Sequence, residues 1–274
     1  ILVSNGFLQH PVGFARSGGQ LRLTDAWAVL TNPTATTAFW HVLGGSLVTA
    51  GVFVAGNSAL HLFRRTPEVK LFTASLRLGV LTALPALLVT VVAGGIQFSQ
   101  LQPMKAAVFG QDDAEVAALQ AAQTARFGPG DYVPPDAWTR GGGIVMLLAF
   151  ALLLYLLVPS APLALITPVV RRFRPWHLVL VAAVPLPHVA MLAGWVFREM
   201  GRQPWVIDGV LRVEDAVSDV SAAAMRTSLL VFTVLFGLLL VVNWWLLLRQ
   251  ALRGPGAVAL GRTPDETRPL SPTF

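Results

Sequence analysis

Five long apolar segments dominate this sequence and limit the folds that are open to it. They cover about 38–62, 72–97, 142–160, 176–198 and 227–248. A helix needs roughly 20 apolar residues to cross the hydrocarbon core of a bilayer. In lipid a helix satisfies its own backbone hydrogen bonds, whereas an open strand cannot. The sequence therefore predicts an all-α membrane protein, a multi-pass transmembrane helix bundle with about five full spans.

Composition agrees with this class and excludes several chemistries. Only 12% of the 274 residues are charged, against about 25% in soluble proteins. Cysteine is absent, which excludes disulfides, thiolate metal sites, iron–sulfur clusters and haem attached through CxxCH. The net charge of +6 arises in short loops between apolar segments, so it indicates orientation in a lipid bilayer and no nucleic-acid partner.

The ends of the chain suggest a piece of something longer. Residues 1–9 resemble the end of a helix, and the first residue is Ile rather than Met. We therefore expect one partial span before the five full ones. The expected organisation is a single membrane domain over residues 1–274, the C-terminal portion of a larger subunit.

The alternation of spans assigns the loops to two faces. Loops 10–37, 98–141 and 199–226 share one face, whereas 63–71, 161–175 and the tail from 249 share the other. The second face carries "RRTPEVK" and "RRFRPW" in short loops, and dense Lys and Arg in short loops mark the cytoplasmic side. This pattern predicts a cytoplasmic C-terminus in a bacterial-type inner membrane. It also predicts that the long 98–141 loop is not cytoplasmic.

His41 is an ionisable residue inside the first full span. Such residues are costly in a membrane and are functional candidates. Gly44, Gly51 and Ser58 lie on the face of the helix below it. One interpretation is close helix–helix packing of small residues, with His41 hydrogen-bonded to a neighbour. The other is that a flat macrocycle fills the slot below His41, which ligates its metal.

Further polar residues are predicted to gather at the non-cytoplasmic face. Glu199 ends the fourth span, where it could simply pair with Arg202 or Arg198. The other residues placed near this face are Lys105, Arg140, Met146 and Trp195. His and Met are an axial pair for low-spin haem, and arginine suits haem propionates. Together the set favours a haem-bearing redox protein over a transporter.

One stretch makes a family resemblance specific. "GWVFREMGRQPW" at 194–205 resembles the signature of subunit I of the cytochrome bd quinol oxidases, in which GW precedes an acid and then Gly201, Arg202, Gln203, Pro204 and Trp205. The segments "NGFLQHPVG", "FWHVLGGSLVTAGVFVAGNSA", "QPMK" and "PLP" follow the family in order. The resemblance extends over essentially the whole chain.

The resemblance implies cofactors, ligands and partners. Members of this family oxidise quinol at the outer face and reduce dioxygen to water. They carry a low-spin haem b, a high-spin haem b and a haem d, beside a second membrane subunit. By this resemblance His41 ligates the low-spin haem, Glu199 ligates a high-spin haem, and Lys105 contacts quinol in the 98–141 loop. Electrons would then pass from quinol through the two b haems to the d-type haem.

The chain also departs from the family pattern. Gly110 stands where the quinol loop usually carries an acid, and the loop is short. Gly142 stands two residues after Arg140, where the family has its methionine ligand, which leaves Met146 as the candidate. The opening helices, which in the family carry the histidine ligand of haem d, are expected to be missing. The enzyme site would then be incomplete in this chain.

Two alternatives to a quinol oxidase follow from the residues. A divergent bd-like oxidase could use a donor other than quinol, as Gly110 and the short loop suggest. A haem-free membrane permease could use Glu199 and Arg202 as a substrate or proton site.

Overall fold

The computed structural model describes residues 1–253, which form eleven helices and four short strands. The helices are Leu2–Gln9 (α1), Ala26–Leu30 (α2), Pro33–Arg64 (α3), Val69–Ser99 (α4), Pro103–Gly110 (α5), Asp113–Phe127 (α6), Asp136–Leu165 (α7), Thr167–Arg172 (α8), Arg174–Ala182 (α9), Leu186–Met200 (α10) and Ala222–Arg253 (α11). The strands are Phe14–Ser17 (β1), Gln20–Leu23 (β2), Trp205–Ile207 (β3) and Leu211–Arg212 (β4).

Five helical stretches are long and apolar enough to cross a membrane, which confirms the predicted fold class. They are Ala26–Arg64, Val69–Ser99, Asp136–Leu165, Arg174–Met200 and Ala222–Arg253. The predicted tail of a further helix corresponds to α1. The helices extend beyond the predicted apolar cores because polar residues continue the helical turns at both ends.

The fourth span differs from the prediction in being two helices, α9 and α10. A turn at 183–185 separates them, and Pro185 precedes the first residue of α10. Proline lacks a backbone N–H and fits the start of a helix better than its interior. The break therefore follows from the "VPLP" sequence, and α10 begins afresh towards the 194–205 signature.

Small residues let α3 and α4 approach until their backbones touch. A Cβ on Gly51 would lie 2.6 Å from the carbonyl oxygen of Gly79, and one on Gly44 would lie 3.0 Å from that of Ala86. The α4 backbone therefore fills the slot below His41. Of the two interpretations of the small-residue stripe, the structure shows the close packing of helices at Gly44 and Gly51, and ligation of a haem by His41 stays a prediction. The neighbouring core joins α3 and α4 to α7 through Val48, Leu87 and Leu153.

The predicted 98–141 loop is mostly helical. It contains α5, α6 and the first turn and a half of α7, which begins at Asp136. The carboxylate of Asp112 caps α6 by accepting a hydrogen bond from the backbone N–H of Glu115 at 2.9 Å. None of the α6 side chains is fully buried, so α6 lies over the bundle as an amphipathic surface helix.

The loops that alternation assigned to one face contact one another. The side chain of Gln102 donates to the carbonyl oxygen of Gln9 at 3.2 Å. Arg16, in the β1–β2 hairpin, donates to the carbonyl oxygen of Val210 at 2.6 Å. The backbone N–H of Asp208 donates to the carbonyl oxygen of Leu8 at 3.0 Å. These contacts bring the three loops and the end of α1 together.

The described residues divide into two units, Ile1–Phe63 with Lys70–Val217, and Arg64–Val69 with 218–253. The second unit contains α11, a helix of 32 residues with no buried side chain. A helix that is apolar on all sides suits a lipid environment. The predicted tail lies outside the described residues beyond 253, and the single-domain organisation stays a prediction.

Candidate functional site

A polar cluster forms where α10 ends, around Glu199. One carboxylate oxygen of Glu199 accepts from Nη2 of Arg202 at 2.5 Å, and the other accepts from the side-chain amide of Asn5 at 3.3 Å. Arg202 follows three residues later, so the end of the helix places both groups on one side. The simple ion pair considered from the sequence is therefore present, and Asn5 of α1 adds to it.

Arg198 ties this cluster to α4. Its Nε donates to the side-chain oxygen of Asn5 at 2.6 Å, and its Nη1 faces the side-chain oxygen of Gln97 at 3.4 Å. Three transmembrane or partial helices, α1, α4 and α10, thus meet around one carboxylate and two guanidinium groups. Charged hydrogen bonds of this kind are about twice as strong as neutral ones, so they hold Glu199 in a fixed orientation.

Arg202 retains hydrogen-bonding capacity after it binds Glu199. Its Nε and Nη1 are buried and have no partner among the described residues. Buried donors are normally paired, because leaving one unpaired costs about 1–3 kcal/mol. These two donors therefore fit an acceptor group that residues 1–253 do not supply, such as a propionate or a phenolic oxygen.

Lys105 lies beside the cluster and is only 2% exposed. Its Nζ sits 4.0 Å from the centre of the Phe197 ring and makes no hydrogen bond within the described chain. Burial, followed by repulsion from Arg198, lowers the pKa of Lys105 to about 7, although Glu199 partly opposes the shift. The ammonium and the neutral amine are therefore both populated near neutral pH.

A cavity of about 110 Å³ opens next to Lys105. Its polar and aromatic lining combines the 98–141 segment with the signature: Gln102, Lys105, Gln123, Tyr132, Arg202, Gln203, Trp205 and Asp208. The volume is smaller than the roughly 300–1,000 Å³ of a typical ligand pocket. It therefore suits one polar edge of a ligand rather than a whole drug-sized molecule.

The end of the signature builds one wall of this cavity. Trp205 is 6% exposed and stacks on Tyr132, with ring centres 5.8 Å apart. Phe127, the last residue of α6, meets the edge of Trp205 at 4.8 Å. The carbonyl oxygen of Pro204 accepts from the backbone N–H of Val213 at 2.8 Å. Gly201 is buried, and a Cβ there would lie 2.6 Å from Cε of Lys105.

His41 lies elsewhere, against α4. Its Nδ1 is 2.9 Å from the carbonyl oxygen of Thr90. A carbonyl only accepts, so Nδ1 carries the proton and Nε2 of the neutral ring keeps its lone pair. Gly94 lies beside the ring, and a Cβ there would be 3.1 Å from Nδ1. A histidine fixed through one nitrogen, with the other available, has the arrangement of metal-ligating histidines.

The remaining predicted site residues are placed differently. The sulfur of Met146 packs against α10, 2.9 Å from where a Cβ on Gly194 would be. Arg140 pairs with Asp136 at 2.8 Å. Trp195 is 63% exposed, one turn before Glu199. The structure thus gathers Glu199, Arg202, Lys105 and the signature residues, whereas His41, Met146, Arg140 and Trp195 have separate surroundings.

Gly142, two residues after Arg140, lies where α7 packs against α10. A Cβ on Gly142 would lie 2.8 Å from the backbone nitrogen of Phe197 and 2.9 Å from the carbonyl oxygen of Ala193. A methionine there would force α7 and α10 apart. The close contact of the two helices depends on glycine at this position.

Sequence reasoning missed Asn5, Gln97 and Asp208 as members of the site. Asn5 lies in "NGFLQHPVG", one of the segments that carry the resemblance, so its signal was available without a role. Gln97 is an amide at the end of an apolar span. Asp208 follows the signature by three residues, but only the fold brings it into the Lys105 cavity.

This fold and site define a class: a multi-pass helical membrane protein with a buried charged cluster at one end of its bundle. The sequence model of cytochrome bd terminal oxidase subunit I matches residues 1–128 and 113–255. The chain therefore belongs to the cytochrome bd terminal oxidase subunit I family, as the resemblance indicated.

Individual relatives agree. The chain is 29% identical to "Cytochrome bd ubiquinol oxidase subunit 1" of Bacillus subtilis (strain 168), over 99% of this chain and 68% of that protein. It is 36% identical to "Cytochrome bd-II ubiquinol oxidase subunit 1" of Escherichia coli (strain K12), over 28% of this chain and 15% of that protein. The bd oxidase structure from Geobacillus thermodenitrificans matches its fold with a TM-score of 0.76 at 21% identity, over 92% of this chain and 66% of that one. The chain thus spans about two thirds of the length of its long matches.

Proposed function

We propose that this chain is a haem-bearing subunit of a quinol:oxygen oxidoreductase of the cytochrome bd type in a bacterial-type cell membrane. The observation that carries the proposal is the Lys105 cavity. Its walls combine the 98–141 loop, which resembles the family's quinol loop, with the "GRQPW" signature. The cavity lies beside the Glu199 carboxylate, which Arg202 and Asn5 hold by hydrogen bonds. Family membership and the names of the relatives support quinol as the donor.

The residues present fit haem. His41 offers Nε2 while Thr90 fixes Nδ1, Glu199 offers a carboxylate oriented by Asn5 and Arg202, and Arg202 has two donors left for a propionate. His41 would hold a low-spin haem b, and Glu199 a high-spin haem b. Bound haem would supply the one-electron redox chemistry that links quinol to dioxygen.

The chain's own residues bind and orient the quinol. Lys105 lies near an arginine-rich cluster with a pKa of about 7, so it can donate a hydrogen bond to a phenolic oxygen as ammonium or as neutral amine. Trp205 and Tyr132 provide an aromatic wall for a flat ring. The cavity volume of about 110 Å³ admits the hydroxyl edge of the ring, while the rest would lie under α6.

The proposal extends to partners and orientation. A second membrane subunit, quinol and dioxygen are the partners. Met146 would hold the low-spin haem together with His41, Arg140 and Trp195 would lie near haem, and Gln203 and Pro204 would shape the signature. The 98–141 face is non-cytoplasmic and the C-terminus is cytoplasmic.

Quinol-dependent oxygen uptake by membranes that contain the full oxidase tests this function. Lys105→Met is expected to raise KM for quinol because it removes the polar contact but keeps the side-chain length. Lys70→Met is the matched control, since Lys70 is an exposed lysine at the start of α4.

A second candidate, a bd-like oxidase with another electron donor, is favoured by Gly110, which is exposed and places no acid at the end of α5. If no quinol supports oxygen uptake while an artificial donor still reduces the haem, this second candidate would be selected instead.

A further inference from the structure

The Lys105 cavity contains one carboxylate without an assigned role, that of Asp208. Asp208 follows β3, and its backbone N–H is held by the carbonyl oxygen of Leu8 at 3.0 Å. Its side chain makes no hydrogen bond or ion pair with any described residue. Asp208 is half-buried, so its carboxylate remains available to a group bound in the cavity.

The surroundings of Asp208 favour proton uptake. Burial raises its pKa, although the positive charges of His10 and Arg126 oppose the shift. Lys105 and Arg202 face the same cavity from α5 and from the signature. A general base is most effective when its pKa lies nearer the working pH than that of a free carboxylate.

We propose that Asp208 is the proton acceptor for the quinol bound in the Lys105 cavity. This inference rests on the proposed function and names a residue for it.

The proton step balances within the site. The O–H bond of one quinol hydroxyl breaks, and an O–H bond forms on the Asp208 carboxylate. The negative charge moves from the carboxylate to the quinol oxygen, where Lys105, which lines the same cavity, can stabilise it. The quinol anion is then the species that gives up electrons to the oxidase.

The proton then leaves towards the face of the bundle that carries the 98–141 loop. His10 is exposed at the end of α1 and is close enough to Asp208 to influence its charge. Loss of the proton from the Asp208 carboxyl to water at this face returns the carboxylate for the next quinol.

The test uses the full oxidase in membranes, with Asp208→Asn, Asp208→Glu and Asp113→Asn. Asp113 is an exposed acid in the first turn of α6 and serves as the control. Two readouts are needed: kcat and KM for a short-chain quinol from pH 5 to pH 9, and the infrared difference spectrum on quinone reduction, which reports carboxyl protonation independently of turnover.

Asp208→Asn is expected to lower kcat on the order of 100-fold, with a smaller change in KM. The wild-type rate falls as pH drops through the raised pKa of Asp208, because only the carboxylate accepts a proton; this acid limb disappears in Asp208→Asn and is displaced in Asp208→Glu. A carboxyl band present in the wild type and in Asp113→Asn should be missing from Asp208→Asn.

The outcomes separate the two proposals. Quinol oxidation by Asp208→Asn with the wild-type kcat, acid limb and carboxyl band overturns the role of Asp208 and leaves the proposed function standing. A wild-type oxidase that oxidises no quinol overturns both. If Asp208→Asn does not assemble, Asp208→Glu decides, and an unchanged pH profile in that variant refutes the inference.

Discussion

Replacement of Lys105 by methionine should change how the stability of the protein depends on pH. The wild-type lysine is 2% exposed, and burial lowers its pKa from 10.5 to about 7. Each unit of pKa corresponds to about 1.4 kcal/mol. Keeping this ammonium in the folded protein therefore costs about 5 kcal/mol at low pH.

The sign follows from proton binding in the two states. Between pH 7 and pH 10.5 the unfolded chain holds a proton on Lys105 that the folded protein has released. Stability therefore rises with pH across this window. From pH 7 to pH 9 the free energy of unfolding of the wild type should increase by about 2 kcal/mol relative to that of Lys105→Met. Below pH 6 the difference in stability between the two proteins should be largest and no longer depend on pH.

Thermal unfolding in detergent, followed by tryptophan fluorescence at pH 6, 7, 8 and 9, measures this effect. Lys105→Met should unfold at a higher temperature than the wild type at pH 6, and the gap should narrow as pH rises. Lys70→Met controls for the loss of an exposed lysine. Parallel pH profiles for the wild type and Lys105→Met would refute the assignment of a lowered pKa to a buried lysine.

Two further substitutions test the positions of the proposed ligands. Gly94→Val should remove the low-spin haem b absorption, because its branched side chain would enter the space of the His41 ring. Gly95→Val is the control and should leave the spectrum intact, since a Cβ there meets open space. Equal spectra for both variants would argue against a fixed His41. Asn5→Ala should shift the high-spin haem b signal and lower the unfolding temperature, since it removes one of the two contacts that orient Glu199. An unchanged high-spin spectrum in Asn5→Ala would separate Glu199 from the haem.

The spans could be predicted from sequence because lipid imposes a simple length rule. The five long apolar runs were enough to predict the number of crossings. The break between α9 and α10 was harder to predict, since a proline inside an apolar run can either kink a membrane helix or end it. The helices in the 98–141 loop could not be predicted from apolar runs, because they are short and weakly apolar.

The site was only partly predictable. Glu199 and Arg202 lie three residues apart, so local helix geometry already brings them together. Asn5 and Asp208 are separated by about two hundred residues, and only the packing of α1 against the loop after β3 brings both to one end of the bundle. The sequence left open whether a helix or a cofactor fills the slot below His41, because a stripe of small residues is compatible with either.

The reduced-minus-oxidised absorption spectrum of the full-length protein in membranes tests the central claim most directly. It should be recorded for the wild type, His41→Ala, Glu199→Ala and the control His188→Ala. We expect b-type haem signals in the wild type and in His188→Ala, loss of the low-spin signal in His41→Ala, and a perturbed high-spin signal in Glu199→Ala. A wild type without haem, or a spectrum that neither ligand variant changes, would contradict the haem assignment and favour a haem-free permease.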